Sequence, residues 1–133
     1  MAQLTTQTKT MELDRPILFA ATTDPKRSRE FYQQTLGLKF VVEEPYALVF
    51  RIGEIPLRIQ KVNEKPRVNH TVLGWIVADV QKTVQHLTKG GVKFLRFEGM
   101  NQDADGIWQS PGGAKVAWFR DPDDNTLSLT QYP

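Results

Sequence analysis

The sequence contains no cysteine, which excludes a disulfide framework, a thiolate nucleophile and a thiolate metal site together. Any metal chemistry would fall to His, Asp and Glu. Long hydrophobic runs are missing too. The longest, at 47–50 and 72–78, fall far short of the about 20 apolar residues that span a bilayer, so no membrane role is expected. Charge of one sign is absent as well. Lys and Arg number 17 against 15 Asp and Glu, a formal balance of +2, and the signs are interleaved, so no basic stripe marks a nucleic-acid surface. Residues 1–14 lack the basic segment followed by an apolar one that a secretory signal carries. They read as a flexible leader on a cytoplasmic protein. The rest, 15–133, suffices for one domain with a real core and is too short for two.

What is present is an internal repeat. The apolar run 17–23 ending in Asp24, the helical stretch 25–35 and the run 36–41 overlay on 72–78 ending in Asp79, on 80–89 and on 90–95 with a single one-residue gap. In both copies a strand runs into an Asp suited to cap a helix, because its carboxylate accepts from the first free N–H groups. Pro25 sits where a helix tolerates proline best. Phe31, Tyr32 and Leu36 in one helix, and Val80, Val84 and Leu87 in the other, make one apolar stripe each. Gly37 and Gly90-Gly91 end them. Three strand-like runs follow each helix: 39–43, 46–52 and 56–62, then 93–98, 114–120 and 126–131. The polar segment 63–69 with Pro66 reads as a connection between module 1 (15–65) and module 2 (68–132). The expected fold is α+β: two tandem βαβββ modules making a curled, barrel-like mixed sheet with helices outside.

Two ordered motifs carry a family resemblance. Asp24-Pro25-x-x-Ser28-x-x-Phe31-Tyr32-x-x-x-Leu36-Gly37-Leu38 resembles the first-module signature of the vicinal oxygen chelate superfamily, which includes glyoxalases, bleomycin-resistance proteins and extradiol dioxygenases. The run from Trp118 through Asp121-Pro122-Asp123-Asp124-Asn125 to Leu129 resembles its closing signature. The match spans 16–131. The resemblance implies that each sheet curls into a trough and that paired modules enclose a cavity. It also implies, in metal-dependent members, four inward ligands on one divalent ion.

Those four positions can be carried over. The first ligand of each module lies seven residues before the helix-capping Asp, which gives Ile17 and Val72; the second lies on the last strand, which gives Arg58 and Ser128. Two apolar side chains, a fixed cation and a hydroxyl make no ordinary divalent site. No metal and no cofactor are therefore expected. His70, two residues before Val72, would share its face if the strand reached that far, which leaves a displaced ligand as the rival reading; His86 reads as a surface residue.

Alternation places Arg58 and Gln60 on the trough face while Leu57 and Ile59 face the helix. An inward Arg needs a partner: either a carboxylate such as Glu43, Glu44 or Glu54, or the anionic group of a small ligand. The long segment 98–113 combines glycines with polar side chains and Trp108, as binding loops often do. Gln102 and Trp108 are its candidates, against a reading in which Trp108 plugs the barrel. Trp75 reads as core, and Trp118 could face either way. With Ile17, Phe19, Ala21, Val72, Gly74 and Ile76 lining an apolar pocket, the candidate ligand-binding set is Arg58, Gln60, His70, Gln102, Trp108 and Ser128; no catalytic residue stands out.

Three functions compete. The first is metal-free binding of a small amphiphilic or anionic molecule. The second is a glyoxalase-like lyase, isomerase or dioxygenase using a displaced metal, or His70 as base with Arg58 stabilising an anion. The third is a structural or regulatory module. A homodimer is expected under each, because short sheets leave exposed edges.

Overall fold

The computed structural model describes residues 13–133; the leader expected at 1–14 lies almost wholly outside the described residues. Strand β1, Leu18–Thr22, runs to Asp24, whose carboxylate accepts from the Arg27 N–H at 3.2 Å and starts helix α1, Pro25–Glu30. The helix expected over 25–35 is not uniform: its last turn, Phe31–Thr35, widens into a π-helix, with the Leu36 N–H donating to the Phe31 carbonyl at 2.9 Å. This turn carries two consecutive rings that serve both modules. Tyr32 packs on Phe50 at 5.8 Å and Phe31 on Phe119 at 6.5 Å. Gly37, at φ 74, lets the Leu38 N–H return to the Tyr32 carbonyl at 2.9 Å, a closure that a side chain with Cβ would strain.

Strands β2 (Lys39–Glu43), β3 (Ala47–Ile52) and β4 (Ile55–Lys61) complete a four-stranded sheet in the order β1-β4-β3-β2, with β1 parallel to β4 and the other pairs antiparallel. The second module repeats this plan. Strand β5 (Thr71–Ile76) leads to Asp79, which accepts from the Lys82 N–H at 3.1 Å, and to helix α2 (Val80–Lys89). Strands β6 (Trp108–Gln109), β7 (Lys115–Arg120) and β8 (Thr126–Gln131) follow, in the order β5-β8-β7-β6. There are thus two separate mixed sheets with β1 and β5 near one another, curled rather than closed into a barrel.

The strand expected at 93–98 does not form. Only a bridge between Phe94 and Phe119 remains there, and the edge position goes to the short β6. The Gln102 side chain explains the difference. Its NH₂ donates to the carbonyls of Leu95 and Gly106, both at 2.8 Å, and its Oε1 accepts from the Phe97 N–H at 2.7 Å. The backbone groups a ladder would use are taken by one amide.

Alternation sorts each strand. Leu48, Phe50, Leu57 and Ile59 in the first sheet, and Ala117, Phe119, Leu127 and Leu129 in the second, are buried against Tyr32, Val80, Val84 and Leu87. Each large apolar side chain so buried stabilises by about 1.5–3 kcal/mol. Trp75 packs at the margin of this core, as expected, with its indole N–H buried and without an acceptor among the described residues. No helix among those residues is long and apolar enough to cross a membrane.

The modules are joined by a polar junction inside this apolar frame. The buried Asp123 accepts from the Thr22 hydroxyl at 2.6 Å and from the Thr23 N–H and hydroxyl, both at 2.7 Å. Beside it, Asp121 accepts from the Tyr32 hydroxyl at 2.6 Å, the Asn125 NH₂ at 2.7 Å, and the N–H groups of Asp123 and Asn125 at 2.9 Å. Asn125 also donates to the Ala21 carbonyl at 2.8 Å. The closing turn of module 2 is thus bonded to the end of β1 and to the π-turn of module 1.

Two outcomes follow from this junction. Asp123→Ala leaves the buried Thr22 hydroxyl without an acceptor, though it still accepts from the Asp24 N–H, and removes three charge-assisted bonds, so urea denaturation should record a loss of about 2–4 kcal/mol; a change within about 0.5 kcal/mol would show the junction to be dispensable. Burial raises the Asp121 carboxyl above its ordinary 3.8, against the bonds from Tyr32 and Asn125 that pull it down. The folded chain then holds this proton more firmly than the unfolded one. Its contribution to stability is complete below pH 3.8 and is lost as pH rises through the higher folded-state value. A carbon-13 NMR titration should place the Asp121 midpoint above 3.8; a midpoint below it would mean that the hydrogen bonds outweigh burial.

Candidate functional site

The face opposite the core is the candidate surface, and strand register fixes its members. Phe19 and Ala21 of β1 lie beside Arg58 and Gln60 of β4, which lie beside Val49 and Ala47 of β3. In the second sheet Gly74 of β5, Ser128 of β8 and Trp118 of β7 form one row, and Ile76, Thr130 and Val116 the next. Arg58 and Gln60 alternate with the fully buried Leu57 and Ile59, so they occupy the concave face as the sequence indicated.

Arg58 has a protein partner. Its Nη2 lies 2.8 Å from Glu44 Oε1, while Glu43 pairs with Lys61 at 2.7 Å and Glu54 approaches Arg15 at 3.5 Å. Of the three carboxylates suggested by the sequence, Glu44 is the one in reach. Both members remain substantially exposed, at 32% and 43% of their side-chain surface, so water screens the pair and the guanidinium keeps donors to offer. Gln60 is exposed beside it.

Ser128 is half-buried, and a methyl group at Gly74 would overlap its Oγ; the two fill one another and close the floor of the second sheet. Next in the row, Trp118 faces the concave side. Its ring lies 6.1 Å from that of Trp108 and meets Phe97 edge-on at 5.5 Å. This aromatic group beside Ser128 is only partly legible in the sequence. Trp108 was singled out there, but Phe97 was hidden by the expectation of a regular strand at 93–98.

The other candidates stand apart. Gln102 is held by its three bonds inside the loop, which leaves both of its NH₂ hydrogens engaged. His70 is exposed at a bend just before β5 begins at Thr71, and His86 is exposed on α2. The structure therefore brings Arg58, Gln60, Ser128 and Trp108 to the two sheets and leaves Gln102 and His70 off the concave face.

That face is open. Ile17 is 50% exposed, Phe19 47% and Ile76 74%, so these members of the apolar set expected to line an enclosed pocket form an uncovered surface, while Val72, at a register shift in β5, packs against the core instead. The reason is topological: the two sheets meet near β1 and β5 but share no ladder there, and nothing among the described residues caps them. A separate groove of about 690 Å³ lies on the helix side, bounded by the start of α2, the loop before β6 and the ends of β6 and β7.

The side chains at the four family ligand positions do not fit a divalent ion. Ile17 and Val72 have no lone pair, Arg58 is a cation held to Glu44, and Ser128 offers one neutral oxygen packed against Gly74. No group of three or more His, Cys, Asp or Glu able to hold a metal occurs among the described residues.

A family model described as the Glyoxalase/Bleomycin resistance protein/Dioxygenase superfamily matches residues 16–129. Solved structures agree in fold. A member of the same superfamily from Sphaerobacter thermophilus is 20% identical, with TM-score 0.71, over 92% of this chain and 99% of its own. A lactoylglutathione lyase from Agrobacterium tumefaciens is 16% identical, with TM-score 0.66, over 93% and 96%. TioX from Micromonospora sp. ML1 is 16% identical, with TM-score 0.68, over 90% and 99%. No curated protein matches in a sequence search.

The site geometry makes one prediction at once. Because the Arg58–Glu44 pair is partly solvated, a double-mutant cycle with Arg58→Ala and Glu44→Ala should give a coupling of about 1 kcal/mol or less. A coupling of about 3 kcal/mol or more would mean that the pair is covered in solution.

Proposed function

The chain belongs to the Glyoxalase/Bleomycin resistance protein/Dioxygenase superfamily, and from that premise we propose that it is a cytoplasmic binding protein that takes a small amphiphilic or anionic molecule on its concave face without a metal. The observation that carries this reading is that the faces opposite the core present two chemistries, one on each sheet. The second sheet contributes the aromatic group of Trp108, Trp118 and Phe97, and the first contributes Arg58 with Gln60 beside the exposed Phe19. An aromatic body would stack on the rings while its anionic group competes with Glu44 for the guanidinium. The replaced ligand positions support the metal-free part, and the lack of an acid–base pair near Arg58 favours binding over turnover.

A second reading of the same face is favoured by its exposure. Ile17, Phe19 and Ile76 form an apolar surface that a second copy of the chain would cover. A dimer and a ligand site are compatible, since a second copy would supply the missing wall.

Anilinonaphthalene sulfonate, an amphiphilic anion, tests the reading directly. It should bind with quenching of tryptophan fluorescence, and Arg58→Ala and Trp118→Ala should each weaken it about fivefold or more. Elemental analysis of the purified protein should find less than stoichiometric metal. Stoichiometric metal with metal-dependent turnover would sink the proposal, as would probe binding indifferent to both substitutions; sedimentation decides between one copy and two.

A further inference from the structure

The helix-side groove carries a chemistry that the concave face lacks. Its volume of about 690 Å³ falls within the range of about 300–1,000 Å³ usual for small-molecule sites. Neither Arg58 nor Ser128 lines it, and its polar groups are amides more than charges.

Their hydrogen-bonding capacity can be followed atom by atom. Gln131 uses its Oε1 to accept from the Val80 N–H at 2.9 Å, which leaves its NH₂ to donate. Asp103 uses Oδ1 for the N–H groups of Asp105 and Ile107, both at 2.9 Å, which leaves Oδ2 to accept. Asn101 and Gln109 are exposed at its rim, and among the described residues neither side chain is engaged. Lys115 makes no ion pair among those residues. Met100, half-buried, forms part of the wall.

We propose that this groove is a second ligand site, separate from the concave face, for an uncharged polyhydroxylated small molecule of the sugar class. Hydroxyl groups both donate and accept, and the groove offers both: donors from Gln131 and Lys115, acceptors from Asp103, and amides that do either from Asn101 and Gln109. One cation opposed by Asp79 and Asp103 leaves no excess charge to select an anion. Met100 supplies an apolar patch for the carbon-bound hydrogens of a ring. This proposal is independent of the metal-free reading of the trough.

Asn101 makes a clean test possible. Its φ of 53° is one that glycine adopts freely, so Asn101→Gly removes the amide without straining the loop. Gln109→Ala removes the second amide from an exposed edge. Nitrogen-15 NMR titrations with maltose and with N-acetylglucosamine should give saturable shifts at Asn101, Gln109, Lys115 and the Gln131 side-chain amide for at least one sugar. A dissociation constant on the order of 1 mM is expected. Each substitution should weaken binding about fivefold, with the melting temperature unchanged. No saturable shift with either sugar overturns the proposal. So do shifts that map to Arg58, Gln60 and Ser128 instead, and affinity unchanged in both variants.

Discussion

The structure depends on two carboxylates placed where carboxylates are expensive. Asp121 and Asp123 sit in the turn between β7 and β8, buried, and every bond they make reaches either that turn or the other module. The junction ties the end of β1 to the other module, since the Thr22 and Thr23 groups there have Asp123 as their acceptor. Desolvation works against the charge at Asp121, and the surrounding donors are what make it tolerable. Burial and the neighbouring Asp121 charge also hold the Tyr32 hydroxyl proton in place well above its ordinary 10.0. The consequence is directional. An apolar contact between modules could slide, whereas a carboxylate with three donors at 2.6–2.7 Å fixes one arrangement.

This explains which parts of the fold were legible in the sequence. Asp24, Asp79, Gly37 and Gly91 act locally, through caps and positive φ, and local signals survive in one dimension. Alternation likewise put Arg58 and Gln60 opposite Leu57 and Ile59, because a period of two needs no knowledge of neighbours. What failed is what depends on distant partners. The run at 93–98 has the composition of a strand, but Gln102, several residues downstream, takes its backbone groups, and nothing in the run itself announces that. The π-turn at Phe31–Thr35 is equally silent locally, since its two rings answer to Phe50 and Phe119 in different sheets.

The candidate site divides along the same line. The failure of the metal positions could be read from residue types alone, because no packing turns Ile17 or Val72 into a donor. The choice of Glu44 over Glu43 and Glu54 could not, because it rests on where the end of β2 and the turns on either side of β3 place each carboxylate. Openness was invisible as well. A sequence specifies that Phe19 and Ile76 share a face, but whether another surface covers that face is a property of two sheets that meet without a shared ladder.

One sheet therefore presents two unlike surfaces, and the alternation that separates them constrains what either can become. In β7, Ala117 and Phe119 are locked into the core while Val116 and Trp118 face the trough. Substitution at the second set leaves the first untouched, so the concave face can exchange metal ligands for Arg58 and Ser128 without loss of the fold. The same separation limits the opposite change. Restoring carboxylates at Arg58 and Ser128 alone would strand Glu44 and crowd Gly74, and Ile17 and Val72 would still lack donors. A divalent site on this face would need donors at four positions together, and no single substitution supplies them.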